Sequence, residues 1–210
     1  MQKDNRQTDY RQDLKKRILK ASMVEFCRKG VRSVKMDDIA ANLAISKRTL
    51  YEIYANKEEL LLAGIKQSEE DYDNHMEEFI ANPIHDVIDV IVEFYNMQIQ
   101  HVSDINPLLF NEIDKYERVR DFLEFRHTER SKDAVSFFKR GMDEGYFRRD
   151  IDYNIVSRVS NSCIDYIMRE QMYKEYDLKH ILHNMIFLFV RGICTEAGSR
   201  KLDKFVGSGV

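Results

Sequence analysis

The stretch ISKRTLYEIYANKEEL, residues 45–60, holds the side chains best suited to do chemistry. Ser46 is a residue type that caps helix N-termini, and Lys47, Arg48 and Thr49 follow in what would be the first helical turn. Such a turn suits a polyanion. Ammonium and guanidinium groups neutralise phosphates, hydroxyls hydrogen-bond phosphate oxygens, and an arginine offers paired donors to a guanine edge. Leu50 and Tyr54 lie four apart and are expected to pack inward, with Tyr51 projecting toward a nucleic-acid backbone. Lys57 adds a cation on the same side. A charge run alone more often marks the solvated face of a helix, so the surrounding elements have to decide.

Other candidate chemistry is thin. Asp177, His180 and His183 fall three apart on one helix, a spacing that suits metal ligands, but no further ligand is in view and no metal site is assigned. Glu112 and Asp114, with Tyr116, lack a helical spacing that pairs two carboxylates. The scattered Cys27, Cys163 and Cys194 form no CxxC pair and fit a reducing cytoplasm. There is no glycine-rich phosphate loop, no nucleophile elbow and no Cys/His pairing, so neither an enzyme nor a cofactor is expected.

The elements that must position the reading turn are legible from local signals. Residues 1–9 are polar and read as a flexible arm, and a first helix is expected from about Asp9 to Lys29, with Leu14, Ile18, Ala21 and Phe26 on one stripe. Gly30 is its natural stop. A second helix reads from about Met36 to Leu43, with Asp37 and Asp38 suiting its dipole and Ile39, Ala40 and Leu43 facing inward. Ala44-Ile45 makes a tight turn, and Ser46 caps a third helix that ends near Tyr54. Asn56 with Glu59 forms a capping box that opens a longer helix.

Three short helices in the first 55 residues make a helix-turn-helix pattern. Longer helices are expected at about 57–80, 83–101, 106–115, 118–141, 152–173 and 177–198, with Asp152 as a cap and a loose tail after Gly198. The predicted architecture is all-α: an N-terminal three-helix helix-turn-helix DNA-binding domain, residues 1–55, followed by a six-helix ligand-binding and dimerisation domain, residues 56–210. With 8 Gly and 2 Pro among 210 residues, composition agrees. The longest apolar run, Met185–Val190, is too short to span a bilayer, and no signal-peptide pattern opens the sequence. Residues 1–60 hold 14 Lys and Arg against 9 Asp and Glu, near +5, so the net charge of −3 leaves the remainder near −8. A basic head on an acidic body fits a polyanion-binding module joined to a sensing or assembly module.

With these elements in place, MDDIAANLAISKRTLYEIYANKEELL resembles the DNA-binding core of the TetR/AcrR family of bacterial transcriptional regulators. The likeness rests on Asp38-Ile39-Ala40, Ser46-Lys47, Thr49-Leu50-Tyr51, Tyr54 and Lys57-Glu58-Glu59-Leu60, with Ala21, Phe26 and Gly30 in the first helix. It covers about residues 14–65; beyond that, only helix number and order match. The resemblance implies a cytoplasmic homodimer that binds a palindromic double-stranded operator, most often as a repressor, and releases it when a small effector occupies the C-terminal domain. It puts Lys47, Thr49, Tyr51 and Lys57 at positions that commonly touch phosphates or bases, and Arg48 where many members have glycine. There are departures. Ala44 replaces the usual turn glycine and Lys35 the usual hydroxyl cap of the second helix, trading a phosphate-contacting hydroxyl for a cation. Glu52 and Ile53 replace groups that contact the DNA backbone.

In HILHNMIFLFVRGI, apolar residues reach nearly every face, which calls for burial on two sides. A two-fold four-helix interface made by the last two long helices does this, with Ile181, Met185, Leu188, Phe189 and Gly192 as interface candidates. Phe94, Met97, Phe110, Phe122, Phe125, Tyr166 and Met168 are candidates to line a pocket for an apolar or aromatic effector, against plain core packing at each. The alternatives are a helical dimeric interaction protein with a degenerate DNA-binding head and, further off, a small-molecule enzyme.

Overall fold

The structure is a computed structural model and describes residues 2–103 and 105–207. Among these, ten α-helices form: α1 Gln2–Lys29, α2 Met36–Asn42, α3 Lys47–Ile53, α4 Lys57–Ala81, α5 Val87–Ser103, α6 Leu108–Ile113, α7 Glu117–Asp143, α8 Tyr153–Arg169, α9 Leu178–Ile193 and α10 Glu196–Gly207. A 3-10 turn, Met172–Lys174, lies between α8 and α9. The single extended pairing among the described residues is a bridge between Phe147 and Cys194. The protein is all-α, as its composition requires.

The chain forms two compact units, residues 1–72 with 105–124 and residues 73–104 with 125–210. In the first, Leu14, Ile18 and Phe26 of α1 pack with Ile39 and Ala40 of α2, Leu50 of α3 and Leu60 and Leu61 of α4. Each apolar side chain fully buried this way contributes about 1.5–3 kcal/mol. Gly64 lets α4 approach α1, since a methyl there would run into Met23. Gly30 ends α1 with φ +76°, donating its N–H to Phe26 O at 2.9 Å. Short α6 also belongs to this unit. Asn106 N donates to Cys27 O at 2.6 Å, and Glu112 Oε2 accepts from Arg32 N at 2.8 Å.

In the second unit, Val87, Ile88, Ile91 and Tyr95 of α5 pack with Ile186, Phe187 and Ile193 of α9, Leu202 of α10 and Phe147. Asp86 caps α5, accepting from Ile88 N at 3.0 Å and Asp89 N at 3.1 Å. Asp152 caps α8 in the same manner.

Several elements depart from the sequence reading. Helix α1 begins at Gln2, where a loose arm was expected: no Gly or Pro interrupts residues 2–9. Met1 of that arm lies outside the described residues. Helix α5 starts at Val87, leaving Pro83 in the turn before it, because Asp86 supplies the cap. Helix α8 stops at Arg169, and Gln171 takes φ 54°.

Among the described residues seven helices follow α3 where six were expected, since residues 196–207 form α10 in place of a loose tail. Thr195 Oγ1 accepts from Gly198 N at 3.2 Å, Leu202 is wholly buried, and Lys201 reaches Asp86 and Asp89. Residues 208–210 of the tail lie outside the described residues. The boundary expected at 55/56 falls inside the first unit, because α4 and α6 complete the core of the head.

Candidate nucleic-acid interface

The turn between α2 and α3 is built from backbone hydrogen bonds that close the end of α2. Ile45 N donates to Ala40 O at 3.0 Å and Ala44 N to Ala41 O at 3.1 Å, with Ala44 left-handed at φ 52°. This is a Schellman stop with alanine in the place that glycine usually fills. Two residues on, Ser46 Oγ accepts from Thr49 N at 3.0 Å and caps α3, and the two hydroxyls share a hydrogen bond of 2.7 Å. Leu50 is wholly buried and Tyr54 nearly so, which fixes the inner face of α3. Ile53 is half-buried against the same core. The outer face carries Lys47, Arg48, Tyr51 and Glu52, all exposed.

Neither cation on that face stands alone. Lys47 Nζ pairs with Asp37 of α2 at 2.5 Å, and Arg48 Nε with Glu52 one turn along α3 at 2.8 Å. Each side chain is held above its ordinary pKa, first by that hydrogen bond and then by the partner's charge. Exposed pairs of this kind are weak and leave both cations within reach of a ligand on that face.

Lys35 caps α2 without a side-chain hydrogen bond and is exposed. Lys57 has a different occupation from the one its position implied. Its ammonium donates to Val34 O at 2.7 Å, Val31 O at 2.8 Å and Arg32 O at 3.4 Å, tying α4 to the loop after α1. Burial lowers its pKa, opposed by the charge of Glu112. The structure thus gathers Ser46, Lys47, Arg48, Thr49 and Tyr51 on α3, leaves Lys35 at the start of α2, and commits Lys57 to carbonyls. The contributions of Asp37 and Glu112 were not visible in sequence, since each acts on a residue far along the chain.

A second surface feature belongs to the other unit. A groove of about 660 Å³ runs along α8, the 3-10 turn and α9, lined by Val159, Cys163, Tyr166, Ile181, Met185, Leu188 and Phe189 among others. Leu188 is 70% exposed and Ile155 of α8 61%. Four of the five interface candidates, Ile181, Met185, Leu188 and Phe189, line this groove, and Gly192 has open space beside it.

The effector candidates are not gathered. Phe110 and Phe122 pack against the core of the first unit, Phe94 packs against that of the second, Met97 and Met168 are half-buried, Phe125 is exposed, and Tyr166 alone lines the groove. The imagined metal ligands also part company. Asp177 caps α9 through Lys179 N and His180 N, His180 meets Asn184, and His183 Nδ1 meets Tyr95 OH at 2.9 Å.

A short capped helix docked on two others, with its cations outward, defines a helix-turn-helix regulator. Residues 18–63 match the family described as bacterial regulatory proteins, tetR family. The chain is 25% identical over 149 residues to the HTH-type transcriptional repressor KstR2 of Mycobacterium tuberculosis, covering 67% of this chain and 72% of that protein. Its fold is similar to that of a transcriptional regulator from Saccharomonospora viridis in complex with choline, with TM-score 0.70, 17% identity and coverage of 88% of this chain and all (100%) of the other. It is also similar to the transcriptional regulator FadR from Bacillus subtilis in complex with stearoyl-CoA, with TM-score 0.61, 17% identity and coverage of 84% and 98%. Over residues 18–63 the chain thus carries the DNA-binding head described for the tetR family, and the relatives it resembles are transcriptional regulators, which supports a DNA-binding regulator. Among the described residues, no helix is long and apolar enough to cross a membrane.

Proposed function

We propose that the protein binds a palindromic operator as a homodimer, represses transcription there, and leaves the DNA when a small effector occupies its second unit. The observation that carries this reading is α3 itself: capped by Ser46, anchored by buried Leu50, and presenting Lys47, Arg48 and Tyr51 outward. Two such heads on a dimer enter successive major grooves about 34–36 Å apart. The exposed apolar stripe of α8 and α9 supports a second copy as its cover, giving a two-fold four-helix interface. KstR2 supports repression. The choline and stearoyl-CoA complexes support an effector held by a helical fold of this kind. Such an effector acts through the difference in its affinity for the DNA-competent and DNA-incompetent states. Regulation of this kind takes place in the cytoplasm, where the operator is.

One observation favours a second reading, a dimeric interaction protein with a degenerate head: both cations on α3 are tied to carboxylates. Salt-dependent binding to duplex DNA decides between the two. Substituting Lys47→Ala is expected to weaken binding across sequences and flatten the log–log salt dependence by roughly 0.9, with dimer mass unchanged. Gel-shift affinity indifferent to that substitution overturns the assignment of α3 as the reader.

A further inference from the structure

We propose that Arg48 and Glu52 form one reading unit, in which Glu52 aims the Arg48 guanidinium at a guanine edge and turns it away from phosphate. The inference rests on the reading of α3 as the DNA-facing helix and adds a specificity-determining role to Glu52, a residue whose charge otherwise counts against DNA binding.

The two side chains lie one helical turn apart on the outer face of α3, with Arg48 88% and Glu52 56% exposed. Arg48 Nε donates to Glu52 Oε1 at 2.8 Å, which engages the near edge of the guanidinium. The two terminal nitrogens remain, and that paired edge is the one that matches O6 and N7 of a guanine. Long exposed arginine side chains otherwise sample many rotamers, so a partner on the same helix reduces the ordering needed on binding. From α1, Arg11 reaches the backbone carbonyl of Glu52 at 3.5 Å, leaving the Glu52 carboxylate to Arg48.

Charge supplies the discrimination. A phosphate approaching Arg48 meets the Glu52 carboxylate, and like charges repel; a guanine edge is neutral and meets no such penalty. An i,i+4 ion pair that merely decorates a solvated helix has neither effect. The two cases therefore separate by experiment.

Full-length protein is used to select bound duplexes from random DNA. Affinities are then measured across a salt series for the selected site, for the site with each G·C pair of a half-site replaced in turn, and for an unrelated duplex. Arg48→Ala is expected to lose about tenfold or more of the discrimination at one G·C position. Glu52→Gln is expected to lose several-fold at the same position. It should also tighten binding to the unrelated duplex and steepen its log–log salt dependence by roughly 0.9, the signature of one cation freed for phosphate. Glu52→Asp, which keeps the charge on a shorter arm, should retain the weak binding to unrelated DNA but lose part of the base discrimination.

A Glu52→Gln protein with unchanged specificity ratio and salt dependence overturns the proposal, as does Arg48→Ala without loss at any G·C position. Wild-type protein that binds no duplex overturns the functional reading as well. Wild-type binding with a flat Glu52 series removes this inference alone.

Discussion

Helices α3 and α8 solve opposite problems. Seven residues long, α3 hides Leu50 completely and shows charge to the outside. Although α8 runs for seventeen residues, it has no fully buried residue and shows Ile155, Val159, Ile164 and Tyr166. A helix too short to be stable alone is held by one anchor, one side-chain cap and a closing turn, and its free face is polar. The longer helix satisfies its own backbone but leaves its apolar stripe to water, a stripe that a single copy of the chain does not cover. The head is finished within its own unit, whereas the α8–α9 layer leaves an apolar face exposed.

The sharpest way to break this comparison is to exchange the roles of two leucines. Removing the buried side chain in Leu50→Ala should cost about 2–5 kcal/mol, the range for a wholly enclosed leucine, and lower the unfolding midpoint in denaturant. Leu188 is 70% exposed, so the same truncation there should cost under about 0.5 kcal/mol in the folding of one copy. Placing a charge on the face with Leu188→Glu should instead convert a dimer to a monomer in sedimentation. If Leu188→Glu keeps the dimer mass, the groove is covered by something other than a second copy. If Leu50→Ala unfolds no sooner than wild type, the head is not anchored as described.

A smaller effect tests how α10 is held to α5 in the second unit. Lys201 Nζ meets Asp86 and Asp89 at 2.5 and 2.8 Å. Burial pushes the Asp86 carboxyl up, but hydrogen bonds from Lys201 and the backbone N–H groups, with the Lys201 charge, hold it below its ordinary 3.8. Burial likewise opposes the Lys201 charge, yet Asp86 and Asp89 hold its pKa above 10.5.

The signs follow from linkage. A depressed carboxylate adds stability above its unfolded pKa and loses it as pH falls through the folded value. A raised ammonium adds stability below its unfolded pKa and loses it as pH rises through the folded value. The contact therefore acts between about pH 4 and 10 and fades at both ends. Asparagine can keep the cap on α5, so Asp86→Asn isolates the charge. It should cost about 1 kcal/mol near pH 7, discounted for partial exposure, and less near pH 2. A cost that is the same at both pH values would assign Asp86 to capping alone.

What the sequence revealed and what it hid divide along a physical line. Gly30, Ser46, Asn56 with Glu59, and Asp152 act on backbone groups within a few residues, so their types and spacing were enough to locate helix ends. The inner face of α3 followed from Leu50 and Tyr54 four apart. The engagement of Lys57 with the carbonyls of residues 31–34, of Glu112 with Arg32, and of Lys47 with Asp37 depends on tertiary approach, which spacing does not encode. Helix α10 was hidden for the same reason, since Gly198 reads as a stop until Thr195, Leu202 and Lys201 find their partners. The effector candidates failed to gather because an aromatic residue fits a core as well as a pocket, and periodicity does not separate the two.

The smallest expected effect bears on the turn that sets α3 against α2. Ala44 sits at φ 52°, a conformation that costs a residue with a Cβ roughly 1–2 kcal/mol. Glycine removes that cost but gives the unfolded chain more freedom, worth about 0.5–1 kcal/mol in the opposite direction. Ala44→Gly should therefore stabilise the first unit by up to about 1 kcal/mol, read as a small rise in denaturation midpoint with unchanged slope. The hydrogen bonds from Ile45 N to Ala40 O and from Ala44 N to Ala41 O do not involve the side chain and should persist in the variant. Binding to duplex DNA is expected to stay within about twofold, because the angle between the helices is set by those bonds and by Leu50. A loss of stability would mean that the turn does not hold the left-handed conformation in solution. The strain would then be absent, and the alanine would be as well suited to this turn as the glycine it replaces.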